Sequence, residues 1–200
     1  MPRPPTLPAL PTLPGALRAR LAARYGAPQR HYHALGHVEA LQRWLAHWAR
    51  LAREPRLIDA AIWFHDAIYD TQRDDNEPRS AELARTELTA IGWASEAIER
   101  VAALVLATQH HQADADDADA WLFLDLDLSV LGQSPAHYAA YRAGVRAEYA
   151  WVDDARFRTG RAAVLRSFLD RESIYRTPEL HAAWEATARA NLAAELSSLA

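Results

Sequence analysis

An adjacent His65-Asp66 pair is the feature of this sequence whose chemistry most needs an explanation. The pair lies inside an otherwise apolar segment, residues 61–70 (AIWFHDAIYD), so a helix formed here would be largely buried. Burying a polar group without a partner costs about 2–7 kcal/mol, and burying a charge costs more. A bound metal ion would compensate for this cost. A hydrogen bond between the two side chains that only orders the core would also do so.

Other histidines and aspartates extend the set of candidate metal ligands. His33 and His37 are four residues apart at the start of a predicted helix, so they share one face of it. His111 follows the fifth predicted helix, and Asp125 and Asp127 interrupt the apolar sixth. Ligand-type side chains therefore come from four predicted helices. Helical bundles build metal sites in this way, from side chains on facing helices.

The types of ligand restrict the class of metal. Two or three imidazoles with carboxylates, and no thiolate, suit Mn, Fe, Co, Ni or Zn better than Ca or Cu(I). A mixed His/Asp set that leaves coordination positions to water is typical of a catalytic site, whereas a structural zinc site is closed by four protein ligands. A metal with open positions can acidify a bound water and polarise a phosphoryl oxygen.

Composition limits the kind of protein in which this chemistry could occur. The chain has 200 residues, half of them hydrophobic, which suffices for one soluble globular domain. It has no cysteine, which excludes disulfides and thiol catalysis, and all 22 basic residues are arginine, which excludes Schiff-base lysines. A net charge of -4 argues against a general nucleic-acid binder. Without a secretory signal or an apolar run of about 20 residues, a cytoplasmic setting off the membrane is expected.

Hydrophobic spacing predicts an all-α fold, a single bundle of about eight or nine helices. Residues 1–14 contain six of the eleven prolines and are predicted to form an extended or disordered arm, with residues 15–200 as the domain. The predicted second helix covers residues 32–52, and the predicted sixth covers residues 121–131. The third is predicted to begin near Pro55 and to contain the His-Asp pair.

The order of these residues resembles the HD-domain superfamily of metal-dependent phosphohydrolases. A lone His37 leads a helix, the His-Asp pair follows about 28 residues later, and a distal Asp follows about 60 residues after that. Longer matches point to one uncharacterised, mainly bacterial branch of predicted metal-dependent HD phosphohydrolases, and the resemblance covers roughly residues 18–176. These matches are RHYHALGH (30–37), AIWFHDAIYD (61–70), DNEPRSA (75–81), ATQHH (107–111) and LDLDLSVLG (124–132).

The resemblance implies an all-α HD fold that binds one divalent metal ion, with Mn, Mg, Fe, Co, Ni and Zn as the candidates. By that likeness His37, His65, Asp66 and Asp127 take the four ligand positions. Asp127 is preferred to Asp125 because the last Asp of the family precedes a hydrophobic or basic residue in a helix.

The resemblance also implies roles for residues around the ligands. His111 would hydrogen-bond a substrate phosphate or the metal-bound water. Some single-metal relatives place a catalytic carboxylate just after the His-Asp pair. Asp70, which is predicted to lie on the same helix face as Asp66 but not at the position those relatives use, is one candidate. Glu77 is another, although it could equally be a first-turn acid that favours the helix dipole. The residues expected to face the substrate are His33, Arg79 and Asp125.

Three functions are consistent with these features. The first is hydrolysis of a phosphate ester or anhydride, for example of a nucleotide, by a metal-bound water, with Arg30, Arg73 or Arg79 neutralising the phosphate. The second is an HD-fold iron oxygenase with two irons, for which His33 and His111 would supply the extra ligands. The third is a non-catalytic protein that binds a metal or ligand. The expected partner is a small phosphorylated molecule rather than a nucleic acid or membrane, and Trp and Tyr residues on the late helices could form either core or a homodimer face.

Overall fold

A computed structural model describes residues 12–199, and within that range the chain is all helical. This confirms the predicted all-α bundle of eight or nine helices. The nine α-helices are α1 (Gly15–Tyr25), α2 (Leu35–His47), α3 (Pro55–Phe64), α4 (Asn76–Ala90), α5 (Ser95–Ala107), α6 (Ala118–Asp127), α7 (Pro135–Glu148), α8 (Asp154–Leu169) and α9 (Pro178–Leu199). Two short 3-10 helices, Ala49–Leu51 and Leu128–Gly132, follow α2 and α6.

The predicted proline-rich arm lies mostly outside the described residues, which begin at residue 12. Its last part packs onto the domain: Leu13 is buried in the core, and its carbonyl accepts a hydrogen bond from Nε of Arg18 at 2.9 Å. None of the helices within residues 12–199 combines the length and the apolar character needed to cross a bilayer.

Helix α3 is the centre of the bundle because, apart from Asp59, its residues from Leu57 onward are apolar and buried. Its buried residues are Leu57, Ile58, Ala60, Ala61, Ile62, Trp63 and Phe64. A helix that is hydrophobic all round must be covered by neighbours, and α3 packs against α1, α2, α4, α5 and α6. The C-terminal end of α3 is therefore held in the interior, where the His-Asp pair follows it.

The His-Asp pair lies just beyond α3 and not within it, which corrects the predicted third helix. The helix ends at Phe64, and His65 is its C-terminal cap residue. Arg30 explains this ending, because its guanidinium donates to the carbonyls of Asp66 (2.6 Å) and Ala67 (3.3 Å) and takes the place of further helical N–H donors. Arg30 is buried. It therefore shapes the site backbone, and the prediction that it neutralises a phosphate has no support in its position.

Asp70 is also outside the helix, so the prediction that it shares a helix face with Asp66 is wrong. It lies in the exposed loop before α4. The N–H of Asp70 donates to Oδ1 of Asn76 at 3.0 Å, and its own carboxylate accepts the N–H of Gln72 at 2.9 Å. These bonds are those of a turn-forming aspartate.

Two other helix boundaries differ from the prediction in ways that matter for the site. Helix α2 begins at Leu35 and not near residue 32, because the N–H groups of residues 31–33 bind the carboxylate of Glu148. Helix α6 ends at Asp127, where the chain tightens into the 3-10 helix. Both changes place a candidate ligand near a helix end.

A close approach of the second 3-10 helix to α9 supports a first prediction. A Cβ atom built at Gly132 would lie 2.4 Å from Cβ of Trp184. We expect Gly132→Ala to lower the free energy of unfolding by about 1–3 kcal/mol through overpacking, as measured by urea denaturation. Gly160→Ala is the control: a Cβ there meets nothing within 4 Å, so in mid-helix it should raise stability by up to about 1 kcal/mol. Equal effects of the two substitutions would contradict this packing.

Candidate metal centre

Three side chains from three helix ends converge on one point: His37 near the start of α2, His65 after α3 and Asp127 at the end of α6. One ligand atom of each lies within 4.8 Å of the other two. Nε2 of His37 is 3.0 Å from Oδ1 of Asp127 and 3.2 Å from Nε2 of His65. Nε2 of His65 is 3.6 Å from the same Oδ1. His37 and His65 are buried, and the Asp127 side chain is 13% exposed.

The hydrogen bonding of His65 shows that the atoms where the triad converges need a proton or a metal ion between them. Nδ1 of His65 donates to the carbonyl of Ile62 at 2.9 Å, so in the neutral ring the lone pair of Nε2 faces His37 and Asp127. Two imidazole nitrogens and a carboxylate oxygen cannot meet at these distances through lone pairs alone. A proton or a metal ion must lie among them. A backbone carbonyl that fixes the other ring nitrogen is typical of a metal-binding histidine, so the residues fit a divalent cation.

Asp66 lies beside this triad. Its Oδ2 is 3.2 Å from Nε2 of His65, and it lines the same cavity. Burial alone would raise the pKa of Asp66, but the charge and hydrogen bond of His65 outweigh it and hold that pKa below its usual range. The structure thus brings the four predicted ligands together, with His37, His65 and Asp127 as the mutually close group.

The electrostatics of the triad favour a positive charge at its centre. Burial disfavours the imidazolium form of His65, yet the Asp66 carboxylate outweighs it and raises the pKa of His65 to about 9. Burial lowers the pKa of His37. The pKa of Asp127 stays well below its usual value despite burial, because His111 and His37 hydrogen-bond to its carboxylate. One positive charge, carried by a proton when no metal is bound, is therefore accommodated here.

His111 contacts the opposite oxygen of the same carboxylate. Its Nε2 lies 3.1 Å from Oδ2 of Asp127. The backbone of His111 is left-handed, with φ of 48°, and the N–H of Gln112 binds the carbonyl of Ala107 at 3.4 Å. This is the helix-terminating position at which glycine is preferred. A histidine held in this conformation at a site of converging ligands indicates a functional constraint.

Glu148 is a site residue that the sequence analysis missed. Its buried carboxylate accepts the N–H groups of residues 31–33 at 2.7–2.9 Å, Nδ1 of His33 at 2.7 Å and the hydroxyl of Tyr69 at 3.0 Å. Burial would raise the pKa of Glu148, but the bond from His33 outweighs it and lowers that pKa to about 2. One signal was available: an acid in the last turn of a helix opposes the helix dipole and needs a partner.

The triad, Asp66, His33 and His111 line a cavity of about 520 Å³. Helices α7 and α8 and the second 3-10 helix supply most of its apolar wall. Seven predicted site residues line the cavity, namely His33, His37, His65, Asp66, Glu77, His111 and Asp127. Asp70, Arg79 and Asp125 are not among its lining residues.

Asp125 belongs to a structural contact on another side of α6. Its carboxylate accepts the N–H groups of Arg176 (3.0 Å) and Thr177 (2.6 Å), where α9 begins. Burial raises its pKa to about 6. Residues two apart on a helix point in different directions, so Asp125 cannot reach the cavity that Asp127 reaches. Its predicted substrate contact has no support in this position.

The predicted phosphate-neutralising arginines of this region are also elsewhere. Arg79 is exposed in the first turns of α4. Arg73 forms an exposed ion pair with Asp75 at 2.6 Å. Exposed pairs of this kind contribute little to stability, and neither arginine lines the cavity.

No protein-family model, no curated protein and no solved structure matches the chain. Membership of the HD-domain superfamily therefore stays a prediction, and it depends on the residues and contacts described above.

The raised pKa of His65 predicts how the stability of the metal-free protein depends on pH. Because this pKa is about 9 in the folded state and about 6.5 in the unfolded state, its contribution is complete below pH 6.5 and is lost as pH rises through 9. We expect unfolding free energy in EDTA to fall by about 2–3 kcal/mol over that range. Urea denaturation should show a smaller fall, or a gain, with saturating Mn²⁺, which replaces the proton. An identical pH slope in His65→Ala would contradict this.

The left-handed backbone of His111 predicts an inverted preference between glycine and alanine. His111→Gly and His111→Ala both remove the contact with Asp127, so their difference isolates the backbone. We expect the glycine variant to be more stable by about 1 kcal/mol, as measured by urea denaturation. Gly92, with φ of 78°, is the control, since Gly92→Ala should cost a similar amount. A more stable alanine variant at 111 would show that the strain is absent.

Proposed function

We propose that this protein is a metal-dependent phosphohydrolase of the HD type that cleaves a phosphate ester or anhydride. The observation that carries the proposal is the convergence of His37, His65 and Asp127 in the lining of an accessible cavity. The donor set is two imidazoles and one carboxylate, with Asp66 adjacent. Such a set suits one divalent cation among Mn, Mg, Fe, Co, Ni and Zn and leaves coordination positions for solvent and substrate.

Each group at the site has a task in this proposal. A divalent cation held by the triad would acidify water and polarise a phosphoryl oxygen. His111, which faces the cavity beside Asp127, would hydrogen-bond the phosphate. His33 has its Nδ1 bound to Glu148, so Nε2 is the ring nitrogen left to exchange a proton in the cavity. Glu77 lines the same cavity and is the carboxylate candidate for general acid–base chemistry.

One observation favours a second candidate function. The carboxylate of Asp127 is shared: Oδ1 faces His37 and His65, whereas Oδ2 faces His111. A carboxylate that presents one oxygen to each of two groups of imidazoles is suited to bridging two metal ions. A two-iron oxygenase is the alternative that this arrangement would serve, with His111 and His33 as the added ligands.

The proposal is tested by metal analysis and turnover of the purified full chain. We expect about one divalent metal per chain and phosphate release from a panel of nucleotides, alkyl phosphates and aryl phosphates, assayed with each of the candidate metals. His65→Ala and Asp127→Asn should lose the metal and lower kcat/KM by at least about 100-fold.

His181→Ala is the matched control, because His181 is exposed on α9 and should change neither metal content nor turnover. Two irons per chain with oxygen consumption would favour the oxygenase instead. Bound metal without turnover on the whole panel would indicate a non-catalytic binding protein, and unchanged turnover in His65→Ala would contradict the site itself.

A further inference from the structure

The wall that α8 presents to the cavity is mainly apolar and incompletely covered. Residues spaced three or four apart along one helix face line it, namely Arg156, Phe157, Gly160, Arg161, Val164 and Phe168. Val164 is 46% exposed although its neighbour Leu165 is fully buried. Valine exposed beside a catalytic cavity is apolar surface that a ligand could cover.

The cavity lining contributed by α7 and the second 3-10 helix is of the same character. It is formed by Val145 of α7, Val130 and Leu131 of the second 3-10 helix, and the ring of Tyr141. The rings of Tyr149 and Phe157 continue this surface, with centroids 6.2 Å apart. The cavity therefore combines the polar groups of the candidate metal centre with a largely apolar lining from α7, α8 and the second 3-10 helix.

Two arginines of α8 line this part of the cavity: Arg156, whose side chain is mostly exposed and lies 3.5 Å from the Asp153 carboxylate, and Arg161, which is already paired by its neighbours. Nε and Nη2 of Arg161 donate to the carboxylate of Glu195 at 2.9 and 3.0 Å, and Nη1 donates to the hydroxyl of Tyr141 at 3.1 Å. The Arg161 side chain is almost fully buried. A polar ligand group placed here would have to compete with these bonds, and losing hydrogen bonds on burial is costly.

We propose that the substrate is a phosphate ester whose organic group is apolar, alkyl or aryl, and lies between α7 and α8 while its phosphate meets the metal centre. This proposal rests on the phosphohydrolase function above and narrows its substrate class. A nucleotide would place the hydrogen-bonding edges of its base against valine, leucine and phenylalanine side chains. An alkyl or aryl group has no such edges and gains from covering the same surface.

Binding of alkylphosphonates to the Mn²⁺-loaded protein tests this class without requiring turnover. The series is ethyl-, butyl-, hexyl- and octylphosphonate, with dissociation constants from titration calorimetry. We expect the Kd to fall about threefold for each added methylene, and hexylphosphonate to bind more tightly than adenosine monophosphate. A Kd that does not depend on chain length, no binding at all, or tighter binding of adenosine monophosphate would overturn the proposal.

Two variants on α8 locate the apolar group. Val164→Asp places a charge on an exposed part of the wall and should abolish the dependence on chain length. Gly160→Leu fills space that is open around residue 160, so the gain in affinity should stop at a shorter chain than in the parent protein. Gly15→Leu, at an exposed site on α1 with equally open surroundings, is the control and should bind the series unchanged. Thermal melts of all three variants establish that they are folded, and full chain-length dependence in folded Val164→Asp would also overturn the proposal.

Turnover of the matching alkyl phosphates separates the two proposals. From ethyl to octyl the leaving alcohol is nearly constant in acidity, so a rise in kcat/KM with chain length reports binding of the alkyl group. Phosphate release from nucleotides without any effect of chain length would support the phosphohydrolase function and contradict the apolar substrate. A chain-length effect on binding, with no phosphate released from any ester, would support an apolar ligand and contradict the phosphohydrolase function.

Discussion

Nε2 of His37 and Nε2 of His65 lie 3.2 Å apart, and Nε2 of His37 also contacts Oδ1 of Asp127. The rest of the site depends on how this contact between three polar atoms is satisfied. The Nδ1–H group of His65 donates to a backbone carbonyl. In the neutral ring, the lone pair of Nε2 is therefore fixed toward His37 and Asp127. His37 and His65 are buried, so an uncompensated arrangement of these polar groups would be expensive. A proton or a divalent metal ion between these atoms resolves the conflict, and the second possibility makes the cluster a candidate metal centre.

The bundle presents its ligands from helix ends and not from helix interiors. His65 follows α3, Asp127 closes α6, and His111 follows α5 in a left-handed conformation. At a helix end the backbone can turn a side chain in a direction that the regular spiral does not allow. Such turns need support, and buried groups supply it: Arg30 binds the carbonyls after His65, and Glu148 binds the N–H groups before α2. Residues that are not themselves candidate ligands thus define the geometry of the site.

The cavity is lined by the candidate metal ligands and otherwise largely by valine, leucine and aromatic side chains. A charged group at the centre and apolar surface beyond it select for a ligand with the same division, since each part of the ligand then meets a matching environment. Arg161 does not change this character because Glu195 and Tyr141 already bind its guanidinium. In the proposed function, the apolar face of α8 would select the substrate, whereas the helix ends would hold the metal ion.

The sequence by itself predicted the helices, excluded cysteine and lysine chemistry, and offered several histidines and aspartates as ligand-type side chains, from which the resemblance to the HD-domain superfamily selected His37, His65, Asp66 and Asp127. These features depend on local spacing and residue type, which the chain carries in any fold. Only the tertiary structure decided which carboxylates meet. Asp125 binds the start of α9 and Asp70 forms a turn, whereas Asp127 reaches the histidines. Glu148 lies 115 residues from His33 in the chain, and no local pattern encodes a contact that packing creates over that distance.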